Sequence, residues 1–185
     1  SMKPIKSLLL AGLLAIAAGA GAAPLKTDPA HSSVSAVFKQ MNVPVEAPFR
    51  SFSAQIDYDA AKPAASKASV EINTASFDIG DPMYNKEVAK KEWFNSAQFP
   101  KASFVSTSIA PAGAGKLNVS GKLTMKGRTA NVSFPLAVKA EGGKQVFEGQ
   151  LPIKRLAFNI GEGEWKDTSM VADEVVIKFR VTAAP

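Results

Sequence analysis

Hydrophobic and polar residues alternate with a period of two along most of the chain after residue 32. The segment FSAQIDY, residues 52–58, places four apolar side chains on one face and three polar ones on the other. Alternation of this kind is typical of strands that have one buried face. It predicts eight strands, at residues 34–38, 52–58, 68–72, 103–109, 117–125, 130–138, 147–153 and 175–181.

Two of these strands carry more detailed expectations. In the fourth, the strict alternation predicts that Ser103, Val105 and Ile109 share one face and that Phe104 lies on the other. The seventh is expected to run on to Phe158.

Short turn signals separate the predicted strands. They include Pro63 within residues 60–65, the small residues of 111–115, Lys126-Gly127-Arg128 and the glycine pair at 142–143. Short turns between alternating strands predict an antiparallel meander of the all-β class. Because closure removes exposed edges, eight such strands favour an eight-stranded antiparallel barrel, with a β-sandwich as the alternative.

One segment departs from the alternation. Asp81-Pro82 is typical of a helix N-cap followed by proline at the first helical position. The following sequence YNKEVAKKEW predicts a short helical insertion near residues 82–93, ending before Phe94, that could cap one end of the barrel.

The N-terminus has the three parts of a secretory signal peptide. Lys3 and Lys6 precede an apolar run at residues 7–18, and Ala20-Gly21-Ala22 is a small-x-small cleavage site. We therefore expect residues 1–22 to comprise a cloning-derived Ser1 and a cleavable signal. Residues 23–185 are expected to form a single domain in the periplasm. The alternative is an N-terminal membrane anchor. If the segment were instead retained and ordered, we would expect it to pack on the barrel or on a neighbouring chain.

Composition narrows the function classes. The formal net charge is +6, but lysine and arginine are scattered singly, so we expect no nucleic-acid partner. The mild positive charge is compatible with contact to an anionic membrane surface. The absence of cysteine removes disulfides, thiol nucleophiles and thiolate metal sites. Eleven phenylalanines suit either an ordinary core or an apolar ligand site.

The residues that could carry catalysis are few. His31 is the single histidine and lacks a nearby cysteine or second histidine, so we interpret it as a polar residue at a strand start. The carboxylates of Glu162, Glu164 and Asp167 could perform acid–base work or bind calcium. We favour instead a solvated loop whose Trp165 folds onto the barrel end. No catalytic residue, metal site or cofactor is predicted.

Several motifs in order along the chain resemble the YceI-like family of lipocalin-like proteins. They are DPAHS at residues 28–32, EWFN at 92–95 with FPKASF at 99–104, GKLTMKG at 121–127, and RLAFNIG at 155–161 followed by EGEW. The chain departs from the family pattern at Asn85, where histidine is frequent, and at Asn159, where glycine is frequent.

This resemblance implies a periplasmic lipocalin-like barrel with an apolar tunnel that binds a long-chain isoprenoid, such as a quinone or polyprenyl lipid, or a fatty-acid-derived lipid. It also implies binding, transport or storage of that lipid, and allows a homodimer and peripheral membrane contact. The apolar lining is expected to comprise Phe38, Phe52, Trp93, Phe104, Phe134 and Phe158. The positions expected near a polar head group are His31, Asn85 and Arg155.

Two other functions stay open at this point. One is an interaction module for a membrane redox or stress system, which a barrel filled by its own side chains would favour. The other is a lipid-modifying enzyme, which would require His31 to take part in the chemistry.

Overall fold

The computed structural model describes Met2 and residues 22–185. Apart from Met2 and Ala22, the predicted signal peptide and its expected packing lie outside the described residues. The strands of the described part are β1 (Ala23–Thr27), β2 (Ser33–Gln40), β3 (Val43–Pro48), β4 (Phe52–Tyr58), β5 (Lys67–Asn73), β6 (Lys101–Pro111), β7 (Lys116–Met125), β8 (Arg128–Glu141), β9 (Lys144–Lys154) and β10 (Glu174–Ala184). Its α-helix is α1 (Pro82–Ala89). No helix of the described residues is long and apolar enough to cross a membrane.

These strands close into an eight-stranded antiparallel barrel, as predicted. The closed ring runs β1-β4-β5-β6-β7-β8-β9-β10 and is completed by pairing of β10 with β1. Strand β2 lies along the same edge of β10 as β1, with a 3-10 turn at Pro29–His31 between them. Strand β3 pairs with β2 just as β4 pairs with β1, so the β2–β3 hairpin extends the wall beyond the closed ring.

All eight predicted strands are present, and the pattern missed β1 and β3. Strand β3 contains Pro44 and Pro48, which argue against a central strand because proline cannot donate a ladder hydrogen bond. Proline is tolerated because, among the described strands, β3 pairs with β2 alone. Its other side meets the bridge between Phe49 and Phe77 and the Asp78 backbone N–H, which donates to the Pro48 carbonyl. A strand with one free edge accepts proline, and proline on such an edge hinders pairing with another chain.

Two detailed expectations were wrong. Strand β9 ends at Lys154 and does not continue to Phe158, because Arg155–Phe158 forms a 3-10 turn that closes on Asn159 in the left-handed conformation, with φ of 55°. In β6, a bulge between Ser106 and Ser108 shifts the register. The alternation therefore changes phase, and Phe104 and Ile109 both face the interior whereas Val105 is exposed.

The predicted helical insertion forms at one end of the barrel. The Asp81 carboxylate caps α1 by accepting a hydrogen bond of 2.8 Å from the Met83 backbone N–H, and Pro82 occupies the first turn. The helix ends at Ala89, four residues before the predicted limit, and turns follow it through Phe99. Because these turns and α1 lie over the barrel end, they can cover its interior.

Side-chain size divides the barrel interior into two halves. In one half, large apolar residues fill the space between the strands, among them Ile109, Leu117 and Phe147. At the middle of the barrel, Phe104 lies against Gly121 and Phe179 against Gly149. A Cβ on Gly121 would lie 2.6 Å from the Phe104 ring, and one on Gly149 would lie 2.5 Å from the Phe179 ring. Glycine at both positions thus makes room for a neighbouring aromatic ring.

We expect Gly149→Ala to lower the free energy of unfolding by about 1–3 kcal/mol, because the added methyl group overlaps the Phe179 ring in a packed interior. Chemical denaturation measures this change. The matched control is Ala137→Val on the outward, exposed face of β8, which should change stability by less than about 0.5 kcal/mol. Equal stability of Gly149→Ala and the native sequence would contradict the packing described here.

Candidate functional site

The other half of the barrel contains a cavity of about 300 Å³. Its wall is predominantly apolar and is built from inward residues near one end of the strands, for example Ala36 on β2, Leu123 on β7 and Ile177 on β10. Pockets for small molecules have volumes of roughly 300–1,000 Å³ and mostly apolar walls with few polar groups. The cavity is therefore at the small end of the range for ligand sites and has their usual chemistry.

An aromatic cluster covers part of this cavity. Phe77 packs against Phe49 with ring centroids 4.8 Å apart and against Phe94 with centroids 5.6 Å apart. Val88 of α1 also lines the cavity, and all four side chains belong to or pack on one apolar cluster. The helix and the turns on either side of it thus supply the cap that the sequence predicted.

Two tryptophans form the facing part of the cap. The rings of Trp93 and Trp165 lie 5.4 Å apart between centroids, and the Arg155 guanidinium carbon lies 5.7 Å from the Trp93 ring. Gly161 has a φ of +90° and packs so closely that a Cβ would lie 3.1 Å from Trp93 and overlap Arg155. Only glycine satisfies both the backbone conformation and this close approach.

Arg155 organises the loop that carries Trp165. Its side chain is buried, at 2% exposure, and all five of its N–H groups donate to backbone oxygens at 2.6–3.4 Å. The acceptors are the carbonyl groups of Ile160, Gly161, Trp165, Val171 and Ala172. Burial lowers the pKa of the guanidinium from its ordinary 12.5, and the nearby Asp173 opposes that shift. Arg155 lines the cavity but has no donor left for a ligand.

The cavity meets solvent beside a small group of polar residues. Gln40 and Tyr84 are lining residues that are themselves exposed, with Tyr84 at 58%. Glu87, three residues after Tyr84 on α1, also lines the cavity, and its carboxylate accepts a hydrogen bond of 2.8 Å from Lys90. This mouth can offer polar contacts that the apolar interior lacks.

Of the nine residues expected at the site, the structure places some in the cavity wall and others outside it. Phe38, Trp93 and Arg155 line the cavity. Phe104 and Phe134 pack together at the centre of the barrel, with ring centroids 5.4 Å apart. Phe52 packs on the aromatic cluster of the cap, and Phe158 is buried in the main core. These last four residues do not belong to the cavity wall.

The other two expected residues, His31 and Asn85, make local structural contacts outside the cavity wall. His31 lies at the opposite end of the barrel from the cavity, where its carbonyl oxygen accepts from the Thr182 hydroxyl. Its exposed ring contacts Asp28, whose pKa falls from 3.8 to about 2 through hydrogen bonds first from Lys144 and then from His31.

Asn85 joins α1 to the loop before it. Its amide nitrogen donates to Asp78 at 3.0 Å, and its amide oxygen accepts from the Ile79 backbone N–H at 2.8 Å. The hydrogen bond from Asn85, followed by that from Arg50, lowers the pKa of Asp78 from 3.8 to about 2.

The three carboxylates near Trp165 do not converge. Glu162 accepts from the buried Lys126 ammonium at 3.2 Å, whereas Asp167 accepts from the Ser169 hydroxyl at 2.6 Å, and the latter contact lowers the pKa of Asp167. Among residues 22–185, no group of three or more histidine, aspartate or glutamate side chains is close enough to hold a metal ion.

Small residues that create the cavity were missed by the sequence analysis. Ala36 and Ala102 both face inward and are almost completely buried, at 6% and 4% exposure, and both line the cavity. The available signal was the contrast along a strand, because Ala102 is followed two residues later by the inward Phe104. Inward alanines leave space inside the barrel, whereas most of the large aromatic residues expected in the lining fill interior space themselves.

Comparison with known proteins places this barrel in a family. A family model described as the YceI-like domain matches residues 25–183. A UPF0312 protein of Shewanella sp. (strain W3-18-1) is 36% identical over 141 residues, which are 76% of this chain and 70% of that protein. The crystal structure of Burkholderia cenocepacia BcnA is 57% identical and matches with a TM-score of 0.84, covering 86% of this chain and 100% of that chain.

A more distant structure shares the fold. A polyisoprenoid binding domain from Saccharophagus degradans, implicated in plant cell wall breakdown, matches with a TM-score of 0.68 at 17% identity, covering 89% of this chain and 99% of that chain. The closed barrel with an apolar cavity at one end defines the class as lipocalin-like. Within that class the chain belongs to the YceI-like family, as its sequence motifs indicated.

We expect Arg155→Lys to lower the free energy of unfolding by about 2–4 kcal/mol, because an ammonium cannot donate to five carbonyl groups and leaves buried acceptors unpaired. Amide hydrogen exchange should accelerate within residues 160–172. The control is Arg180→Lys. The surface ion pairs of Arg180 with Glu141 and Glu148 contribute less than about 1 kcal/mol to the free energy of unfolding. Equal destabilisation by the two substitutions would contradict the role assigned to Arg155.

Proposed function

We propose that this protein binds the hydrocarbon chain of a lipid inside the cavity and transports or stores that lipid in the periplasm. The ligand class is an isoprenoid quinone, a polyprenyl lipid or a related fatty-acid-derived lipid. The observation that carries the proposal is the apolar wall of a cavity of about 300 Å³ inside a YceI-like barrel. The fold shared with a polyisoprenoid binding domain supports the same ligand class.

The driving force in this proposal is burial of methylene groups. Each methylene removed from water contributes about 0.8 kcal/mol, so a chain held by Phe38, Leu123 and Ile177 needs no charged anchor. Affinity would depend on the length and shape of the chain. This fits a cavity wall whose buried charged group, Arg155, already has its five N–H groups bonded to carbonyl oxygens.

The head group would remain at the mouth of the cavity. Gln40, Tyr84 and Glu87 offer polar atoms there, where solvent also reaches. A polar head group that stays hydrated avoids the cost of burial without partners. The protein would thus select for the chain more strongly than for the head group.

The contacts that polar groups of the cavity wall make with other protein groups support binding without catalysis. The Thr74 hydroxyl donates to Ser96 at 2.9 Å, and Glu87 pairs with Lys90.

The N-terminal segment predicted as an export signal supports a periplasmic location for this carrier.

We expect Ala36→Phe to weaken binding of a polyprenyl alcohol at least about tenfold, because the new ring occupies space that two or more methylenes would fill. Both tryptophans of the chain line the cavity, so their fluorescence during titration reports on this site. Retention of a radiolabelled alcohol through gel filtration gives an independent measure.

The matched control is Val37→Phe, which adds a comparable ring to the outer face of the same strand. It should bind the alcohol with the affinity of the native sequence. Binding that is equally strong in Ala36→Phe, in a protein with an unchanged circular dichroism spectrum, would place the ligand elsewhere and refute the proposal.

A further inference from the structure

A layer of three phenylalanine rings lies in the middle of the barrel, next along the strands from residues of the cavity wall. Phe134 packs against Phe104 with centroids 5.4 Å apart and against Phe179 with centroids 5.1 Å apart. Phe104 and Phe179 come from β6 and β10, two residues beyond the lining residues Ala102 and Ile177 on the same strands. We call Phe104, Phe134 and Phe179 the aromatic layer.

The neighbouring strands hold this layer in place. The Phe104 ring occupies the space that a side chain on Gly121 would fill, and the Phe179 ring does the same at Gly149. The rings therefore lie against backbone on one side and against Phe134 on the other. Because a closed barrel cannot widen locally without breaking its strand pairing, these contacts leave the rings little freedom to move apart.

Beyond the layer the barrel is filled. Phe147 is buried at 3% exposure and packs edge-on against Tyr58, with centroids 5.2 Å apart. Val181 and Ala183 are buried beside it in the same cluster. None of these residues contributes to the wall of the cavity.

We propose that the aromatic layer is the floor of the binding site and sets the length of chain that the protein can bury. This inference rests on the proposed function, since it assumes that an apolar chain enters from the mouth. Segments beyond the length of the cavity remain in solvent at the mouth. A long polyprenyl lipid would accordingly be held by one part of its chain.

The proposal predicts a break in the dependence of affinity on chain length. A series of straight-chain alcohols, titrated against tryptophan fluorescence, should bind about fourfold more tightly for each added methylene until the chain reaches the floor. Longer alcohols should then gain little. Steadily rising affinity across the series, in a protein that binds these alcohols, would overturn the floor while leaving the proposed function intact.

Changes to the layer should move this break. Phe179→Ala removes a ring from the floor and joins its volume to the cavity, so the break should shift to chains several methylenes longer. Phe147→Ala is the matched control, because it removes a buried ring of the same type beyond the layer and should leave the break in place. An unchanged break in Phe179→Ala would overturn the proposal.

A second variant covers the case in which Phe179→Ala does not fold. Ala102→Leu adds bulk immediately above Phe104 on β6, within existing space, and should move the break to shorter chains. An unchanged break in Ala102→Leu would contradict the proposed floor. Failure of the native protein to bind any alcohol would instead refute the proposed function itself.

Discussion

The interior of an eight-stranded barrel is so narrow that the sizes of its inward side chains decide whether it is filled or hollow. In this protein the sizes change along the strands. Large residues fill one half, phenylalanines meet glycines at the centre, and Ala36 and Ala102 leave the other half open. The closed strand ring holds the wall fixed, so this gradient in side-chain size produces the cavity.

The cap depends on a second constraint, the burial of Arg155. A guanidinium without a contacting carboxylate is unfavourable in an apolar interior unless every donor is satisfied. The loop of residues 160–172 meets that need by directing five carbonyl groups at the side chain, and the same arrangement brings Trp165 against Trp93. Arg155, which the family resemblance places near a ligand head group, therefore bonds to the cap through all five of its N–H groups.

The sequence was sufficient to predict the barrel, but it was insufficient to predict which side chains fill the interior and which line the cavity. Alternation identified seven of the eight ring strands because each has one buried face, but it missed β1, and the Asp81-Pro82 cap located the helix. Strand β3 was missed because its prolines, which an edge strand tolerates, argue against a strand. The bulge in β6 reversed the face of Ile109, and no local sequence pattern reveals that change. Of the residues expected in the lining, Phe38 and Trp93 line the cavity, whereas Phe104 and Phe134 pack together in the middle of the barrel, outside the cavity wall. Their depth along the barrel depends on register, which the alternation alone does not fix.

The proposed function and the proposed floor both require that the cavity is a lipid site. Organic extraction of the protein purified from membrane-rich cells, followed by mass spectrometry, tests that claim most directly. We predict a stoichiometric lipid with a long apolar chain, and its depletion in an extract of Ala36→Phe prepared in parallel. An extract that holds no such lipid, or one equally rich in the Ala36→Phe variant, would contradict it.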